Sequence, residues 1–405
     1  MPTYPTYKLG EICELLNGFA FKSSNYVQSG LRVIRITNVK KGYVIDEEPQ
    51  FYPIETQEEL KKYILKKDDL LISLTGNVGR VGILREDLLP AALNQRVGCL
   101  RVKNKSLVSL QYLFHLLNTD SFEKDCINSS KGIAQKNMST EWLKEYEINL
   151  PPLPTQHQIV SRIESLFAEL DKAAKHLHTA QQQLKTYRQA VLNHWLNNDD
   201  GKWEMVPIKE IISVISNGST PKADKMFSKG EIQFLKVYNL NFDGSINLSK
   251  EPVFIERDTH ETLLKRSQTK QGDVLINIVG PPLGKVSIIP EGEKEYNINQ
   301  AIVMFRPNEF VTSKFLAYYL MSPQVIAWLT STSKATAGQY NVKVSTCREI
   351  MFPKISISEQ HRIVQEIESR LSQAEAAEAS IAEALQKTEA LRQSILKKAF
   401  SGELV

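Results

Sequence analysis

Along two stretches of the chain, apolar or small residues recur in alternating steps of four and three. The first stretch runs through Ile159, Ile163, Leu166, Leu170, Ala173, Leu177, Ala180, Leu184, Tyr187 and Val191. This heptad seam predicts a helix of about 40 residues, roughly 60 Å long. Leu150 to Pro154 breaks the chain ahead of it, because proline is tolerated at a helix start but not inside one, and Thr155 offers an N-cap. The second stretch carries Ile363, Ile367, Ala374, Ala377, Ile381, Ala384, Leu391 and Ile395, with Ser358 or Glu359 opening the helix. Arg370 and Thr388 interrupt that seam, with Leu371 and Leu385 beside them. Each apolar stripe needs cover. Antiparallel pairing of the two helices within the chain is the economical solution, while packing on the adjoining domain or on another chain would also supply it.

The segments before each seam read differently. Arg32 to Val39, Leu70 to Leu74, Ile232 to Val237 and Val274 to Val279 are short apolar or β-branched runs bounded by Gly, Asn and Asp, which predicts strands. Leu110 to Leu117 and Lys314 to Leu320 predict short amphipathic helices. The result is a mixed α+β unit in each half. The expected domains are 1–154 and 201–357, each followed by a helical spacer, 155–200 and 358–405.

The two halves repeat each other. Gln156 to Ser165 (QHQIVSRIES) returns 204 residues later as QHRIVQEIES, identical at 7 of 10 positions. Asn17-Gly18 matches Asn217-Gly218, and Asn94-Gln95 matches Asn299-Gln300. Asp68 to Val81 matches Gly272 to Val286 with one insertion. A duplicated chain of this kind predicts internal pseudo-twofold symmetry. Similarity is strongest in the helices and weaker in the units before them, as expected if one fold reads two different things.

Charge adds little by itself. The net charge of +4 resides in the two α+β units, at +2 and +4, while the helical segments carry 0 and −2. No apolar run approaches the roughly 18 residues that span a bilayer. Cys13, Cys99, Cys126 and Cys347 are scattered, which points away from structural zinc and toward a reduced, cytoplasmic setting.

Several local patterns invite an enzyme reading and fail it. Gly280 to Val286 (GPPLGKV) has three residues between its glycines where a phosphate loop needs four, and Val286 stands where Ser or Thr must meet magnesium. His157, His361, His176 and His178 make no metal set with any Cys or carboxylate. Asp68 and Asp69 are expected as solvated turn residues. A duplicated chain without a catalytic constellation suits a reader or scaffold better than a catalyst.

Ser130 to Ile159 has a Gly and Gln-x-Asn group, a short segment, a Pro-rich break, and Gln-x-x-Ile-Val opening a long helix. The second copy keeps Gly338, Gln339, Asn341, Pro353, Gln360, Ile363 and Val364, but has FPKIS where the first has LPPLP. This arrangement resembles the specificity subunits of type I restriction-modification systems, along essentially the whole chain. The resemblance implies two target recognition domains joined by two long antiparallel coiled-coil helices. Each domain would read one half of a bipartite, asymmetric site in double-stranded DNA. The helices would set the spacing and receive two modification subunits, with restriction subunits added in a full complex. S-adenosylmethionine would sit on the modification subunits, ATP and magnesium on the restriction subunits, and no cofactor on this chain.

DNA contacts are expected from Lys, Arg and short polar residues on loops. The candidates in the first unit are Lys22, Arg35, Asn38, Lys40, Lys41, Asn77, Arg80, Lys131, Gln135 and Lys136. In the second they are Lys222, Lys236, Tyr238, Asn239, Lys285, Lys334, Gln339, Tyr340 and Lys343. The repeated Asn94-Gln95 and Asn299-Gln300 are expected to be structural or to meet phosphate. Two other readings stand beside this one: a coiled-coil scaffold that joins two proteins without touching DNA, and a nucleotide-hydrolysing enzyme built on Gly280 to Lys285.

Overall fold

The computed structural model describes residues 4–132, 136–292, 294–336 and 339–404. It divides into two compact units, residues 1–177 with 383–405 and residues 178–382. Each unit holds one α+β fold and a length of both long helices.

In the first unit a four-stranded antiparallel sheet has the order Cys13–Asn17, Val97–Val102, Leu70–Ser73, Val81–Ile83. In the second the order is Val214–Asn217, Ile302–Arg306, Val274–Asn277, Val286–Ile288. The inner strands explain the apolar runs. Successive side chains point to opposite faces, and both faces are covered. Leu70 and Ile72 enter one core while Leu71 enters another with Val97 and Cys99. Val274 and Ile276 are likewise separated from Leu275. A three-stranded sheet centred on Leu31–Ile34, with Phe51–Tyr52 and Ala91–Leu93, completes the first fold. Ile232–Leu235, with Phe254–Ile255 and Tyr296–Ile298, does the same in the second.

Two predicted strands stop early. Leu31–Ile34 and Ile232–Leu235 run into 3-10 turns at Ile36–Asn38 and Val237–Asn239. The helices at Leu110–Leu117 and Ser313–Met321 occupy the expected places. Asp120–Ser129 and Pro323–Thr332 are further helices that the apolar pattern did not indicate.

Gly18 and Gly218 are required by a close backbone approach. A Cβ would lie 2.1 Å from the Asn94 carbonyl oxygen in one case and 1.8 Å from the Ile298 oxygen in the other. Asp69 and Asp273, far from being solvated, are 2% and 0% exposed. Each receives a two-pronged guanidinium: Arg101 Nε and Nη2 at 2.7 Å each, and Arg306 at 2.8 and 2.7 Å.

The long helices span Leu153–Leu196 and Ile357–Phe400, so both start before the expected caps, Thr155 and Ser358 or Glu359. Proline at the second position of the first helix loses no hydrogen bond there. In the second, the Ser356 hydroxyl accepts from the Glu359 N–H. The repeated glutamines join helix to recognition fold. Gln156 is fully buried; its carbonyl accepts the Ser109 N–H at 2.8 Å, and its amide donates to the Leu107 and Pro151 oxygens. Gln360 makes the same set with Thr312, Phe310 and Ile355.

In each unit the helix lengths run antiparallel. Phe167 and Asp171 meet Arg392 in the first, and Arg188 meets Glu375 and Glu378 in the second, where Trp195 meets Arg362 and Arg370. Ile159, Ile163, Val191, Ile363 and Ile367 are buried, and Leu166, Leu170, Leu177, Leu184, Ile381 and Ile395 are half-buried. The seam is not a strict heptad. Ala174 replaces Ala173 on the inner side, Arg188 replaces Tyr187, Leu371 replaces Arg370, and Arg392 replaces Leu391. Tyr187 and Leu391 are 39% and 51% exposed. A helix of 3.6 residues per turn drifts by about 20° per heptad, so over several heptads the buried stripe moves one residue along.

Candidate nucleic-acid interface

The turn after each inner strand is built to a common plan. In the first unit the Ser73 hydroxyl donates to the Asn77 carbonyl oxygen and accepts the Arg80 N–H. In the second, Asn277 accepts the Lys285 N–H at 2.9 Å and donates to the Val279 and Pro282 oxygens. These bonds hold Gly280 to Lys285 as a tight turn. A second segment lies against each turn: Thr75 bridges to Asn137, with the Gly76 N–H donating to the Lys136 oxygen at 2.8 Å. Val279–Gly280 pairs with Gln339–Asn341, which pairs in turn with Lys334–Thr336.

Beside the first turn lies a cleft of about 240 Å³, lined by Thr37, Lys40, Thr75, Asn77, Arg80 and Arg96, among others. The structure therefore brings together three expected contacts, Lys40, Asn77 and Arg80, and places Lys131 and Lys136 on the adjoining segment, both exposed. Gln135 lies outside the described residues. Arg96, Thr37 and Thr75 were not singled out from sequence. Arg96 follows the repeated Asn94-Gln95 pair, which was the available signal.

Other candidates are engaged elsewhere. Asn38 and Asn239 are buried, and their amides are spent on their own backbone. Asn38 accepts the Arg35 N–H and donates to the Ile45 and Glu47 oxygens; Asn239 accepts from Lys236 and donates to Asn247 and Lys250. They close the 3-10 turns and are not free to meet a base. Lys41 donates to Asp120 and Glu123 at 2.7 Å each. Burial alone would pull its ammonium pKa down, but the two carboxylates push it above the ordinary value. Arg35 donates to the Glu48 oxygen at 2.8 Å.

In the second unit Lys285 donates to the Val237 oxygen at 3.4 Å and stands 5.9 Å from the ring of Phe242, which is 53% exposed. Tyr238 donates to the Glu251 oxygen, with Lys236 6.0 Å from its ring. Tyr340 is half-buried on the edge hairpin with Gln339 and Lys334, and Lys343 is exposed at the following helix start. Lys22 and Lys222 are exposed, each preceding a 3-10 turn. Asn94 and Asn299 close turns by accepting the Arg96 and Ala301 N–H groups at 3.2 Å each. Among the described residues no group of His, Cys, Asp and Glu could hold a metal, and no helix is long and apolar enough to cross a membrane.

The family model for the type I restriction modification DNA specificity domain matches residues 1–177 and again 200–386. The chain belongs to this family. It is similar over 98% of its length to the EcoBI specificity subunit of Escherichia coli, at 28% identity and covering 85% of that protein. Similarity to the EcoKI specificity subunit of E. coli K12 is 22% identity over 97% of this chain and 87% of the other. In fold it resembles a chain from a type I restriction-modification assembly, with a TM-score of 0.70 at 19% identity, covering 100% of this chain and 99% of the other. It also resembles the HsdS subunit of Thermoanaerobacter tengcongensis, with a TM-score of 0.54 at 18% identity, over 100% and 98%. This specificity subunit is the DNA-recognition component of its system and is not itself a catalyst.

Proposed function

We propose that each recognition domain of this specificity subunit reads one half of a bipartite, asymmetric DNA site. The two long helices fix the interval between the halves and receive two methyltransferase subunits. The observation that carries this reading is a shared scaffold with divergent surfaces. Gln156 and Gln360, the Asp69–Arg101 and Asp273–Arg306 pairs, and Asn38 and Asn239 recur with the same bonds. Meanwhile the residues facing open space beside the turns differ in charge and size.

A count of two methyltransferases is supported by the helices themselves. Tyr187 and Leu391 are 204 residues apart, occupy equivalent positions in the repeat, and are the two exposed large apolar side chains on the long helices among the described residues. One such foothold on each helix suits two like partners. S-adenosylmethionine would be held by those partners, which would methylate adenine, and restriction subunits with ATP and magnesium would join a complete complex. A cytoplasmic setting follows from DNA as the ligand.

Methylome sequencing of the host with and without the gene tests this reading. Loss of one bipartite adenine mark is expected on deletion. An unchanged methylome in a host whose methyltransferase is active would reject it.

A further inference from the structure

Within the first unit, the cleft beside the Thr75 to Arg80 turn gathers Lys40, Arg80 and Arg96, and no carboxylate lines it. None of these three side chains has a hydrogen bond or ion pair to protein among the described residues. Elsewhere in the first unit Lys41, Arg32 and Arg101 end on carboxylates. Three like charges in one concavity repel one another. An anionic ligand relieves that repulsion, and DNA phosphate is such a ligand.

Corresponding positions in the second unit follow from the strand registers. Arg80 and Lys285 each precede the outer strand that starts at Val81 or Val286. Arg96 and Ala301 each follow the Asn-Gln pair and precede the strand at Val97 or Ile302. Lys40 and Asn241 each stand two residues beyond the buried asparagine that closes the 3-10 turn. One cation is thus kept in both units, at Arg80 and Lys285. The others are not: Arg96 becomes alanine and Lys40 becomes asparagine, whose amide donates to Ser245.

A charge common to two readers of different sequences suits the part of DNA that never changes, its phosphates; a charge present in one suits a base. We infer that Arg96 reads a guanine in the half-site of the first domain and that Arg80 holds a phosphate beside it. This rests on the proposed bipartite recognition. The main chain of Arg96 is fixed on both sides. Its N–H donates to Asn94 at 3.2 Å, and its carbonyl accepts the Leu74 N–H at 3.0 Å. A free guanidinium on an anchored turn is organised for the two-pronged contact with guanine O6 and N7.

The test uses the subunit assembled with its methyltransferase partners and a DNA library randomised in the first half-site, with the second half intact. Affinity is measured for each sequence and as a function of salt. Arg96→Ala should flatten the preference at one guanine position by roughly tenfold to a hundredfold and leave the other positions unchanged. Arg96→Lys keeps the charge and loses the planar fork, so it should weaken that one preference, and no other, while keeping the salt slope. It carries the test should the alanine variant not assemble. Arg80→Ala should weaken all sequences alike and reduce the salt slope by about 0.9. The inference fails if Arg96→Ala weakens all sequences evenly or leaves the profile intact. A wild-type complex with no sequence preference would instead defeat the proposed function.

Discussion

In the first unit Asp69 takes the guanidinium of Arg101 with two parallel hydrogen bonds, and in the second Asp273 takes Arg306 with the same atoms. At other positions the correspondence breaks: Arg96 is matched by Ala301, Thr37 by Tyr238, and Thr75 by Val279. The contrast separates two kinds of polar residue. Those that satisfy buried backbone or a buried charge cannot vary without a cost in stability. Those that face a cleft can vary freely, and in the reading proposed above their variation would give two copies of one fold two specificities.

The largest effect that would break this comparison lies in the shared scaffold. Removing one member of a buried ion pair costs about 3–5 kcal/mol, because the other charge is left uncompensated. Arg101 and Arg306 are each 22% exposed and keep some water, so the lower end applies. Asp69→Asn and Asp273→Asn should each destabilise by about 3 kcal/mol, measured from urea midpoints. A large loss in one unit and less than about 1 kcal/mol in the other would show that the two scaffolds are not equivalent.

Much of this scaffold was legible in sequence, because burial on both sheet faces leaves continuous apolar runs and long helices leave a seam. What stayed hidden was where a polar side chain turns. Asn38 and Asn239 are candidates in sequence because short polar residues on loops suit DNA contacts. Their amides fold back onto carbonyls several residues ahead, which local sequence does not reveal. Asp69 looked solvated beside its charged neighbour, since its partner Arg101 lies 32 residues away. The seam misplaced Tyr187 and Leu391 because a strict heptad ignores the drift of a 3.6-residue turn. Arg96 carries no sequence signal of its own beyond following the repeated Asn-Gln pair.

A second difference between the units sharpens the comparison through pH. His115 on the helix Leu110–Leu117 is 6% exposed and packs against Phe167; the corresponding residue on the helix Ser313–Met321 is Tyr318. Burial pushes the imidazole pKa of His115 down to about 4. Glu164 lies 3.9 Å away and would favour the charged ring, but its side chain is 54% exposed and screened, so desolvation prevails. Burial raises the Tyr318 phenol to about 12, and Glu368, Glu375 and Asp243 add to the rise, which keeps it neutral at ordinary pH. For His115 the unfolded chain binds a proton near pH 6.5 and the folded chain only near 4. Its contribution is therefore complete above 6.5 and is lost as pH falls toward 4, by about 3 kcal/mol. His115→Phe should remove this component. The unfolding free energies of wild type and variant, compared at pH 7 and 4.5, should converge or cross toward the variant at low pH. Parallel curves would mean that burial does not lower the imidazole pKa in the fold.

The smallest expected effect concerns the two arginines that replace apolar residues on the seams. Arg188 reaches Glu378 through Nε at 3.3 Å and Nη2 at 3.0 Å, with side chains 25% and 35% exposed. Arg392 pairs with Asp171 and lies 4.9 Å from the ring of Phe167. Half-exposed pairs contribute about 0–1 kcal/mol, since water competes for both charges and two long side chains must be held still. Their stems still cover apolar surface, so leucine at either place replaces a weak ion pair with seam packing. Arg188→Leu and Arg392→Leu should each change stability by less than about 1 kcal/mol, read from denaturant midpoints. A loss above about 2 kcal/mol at either position would show that the seam depends on its polar interruptions. The drifted heptad would then be an incomplete account of how the helices pair.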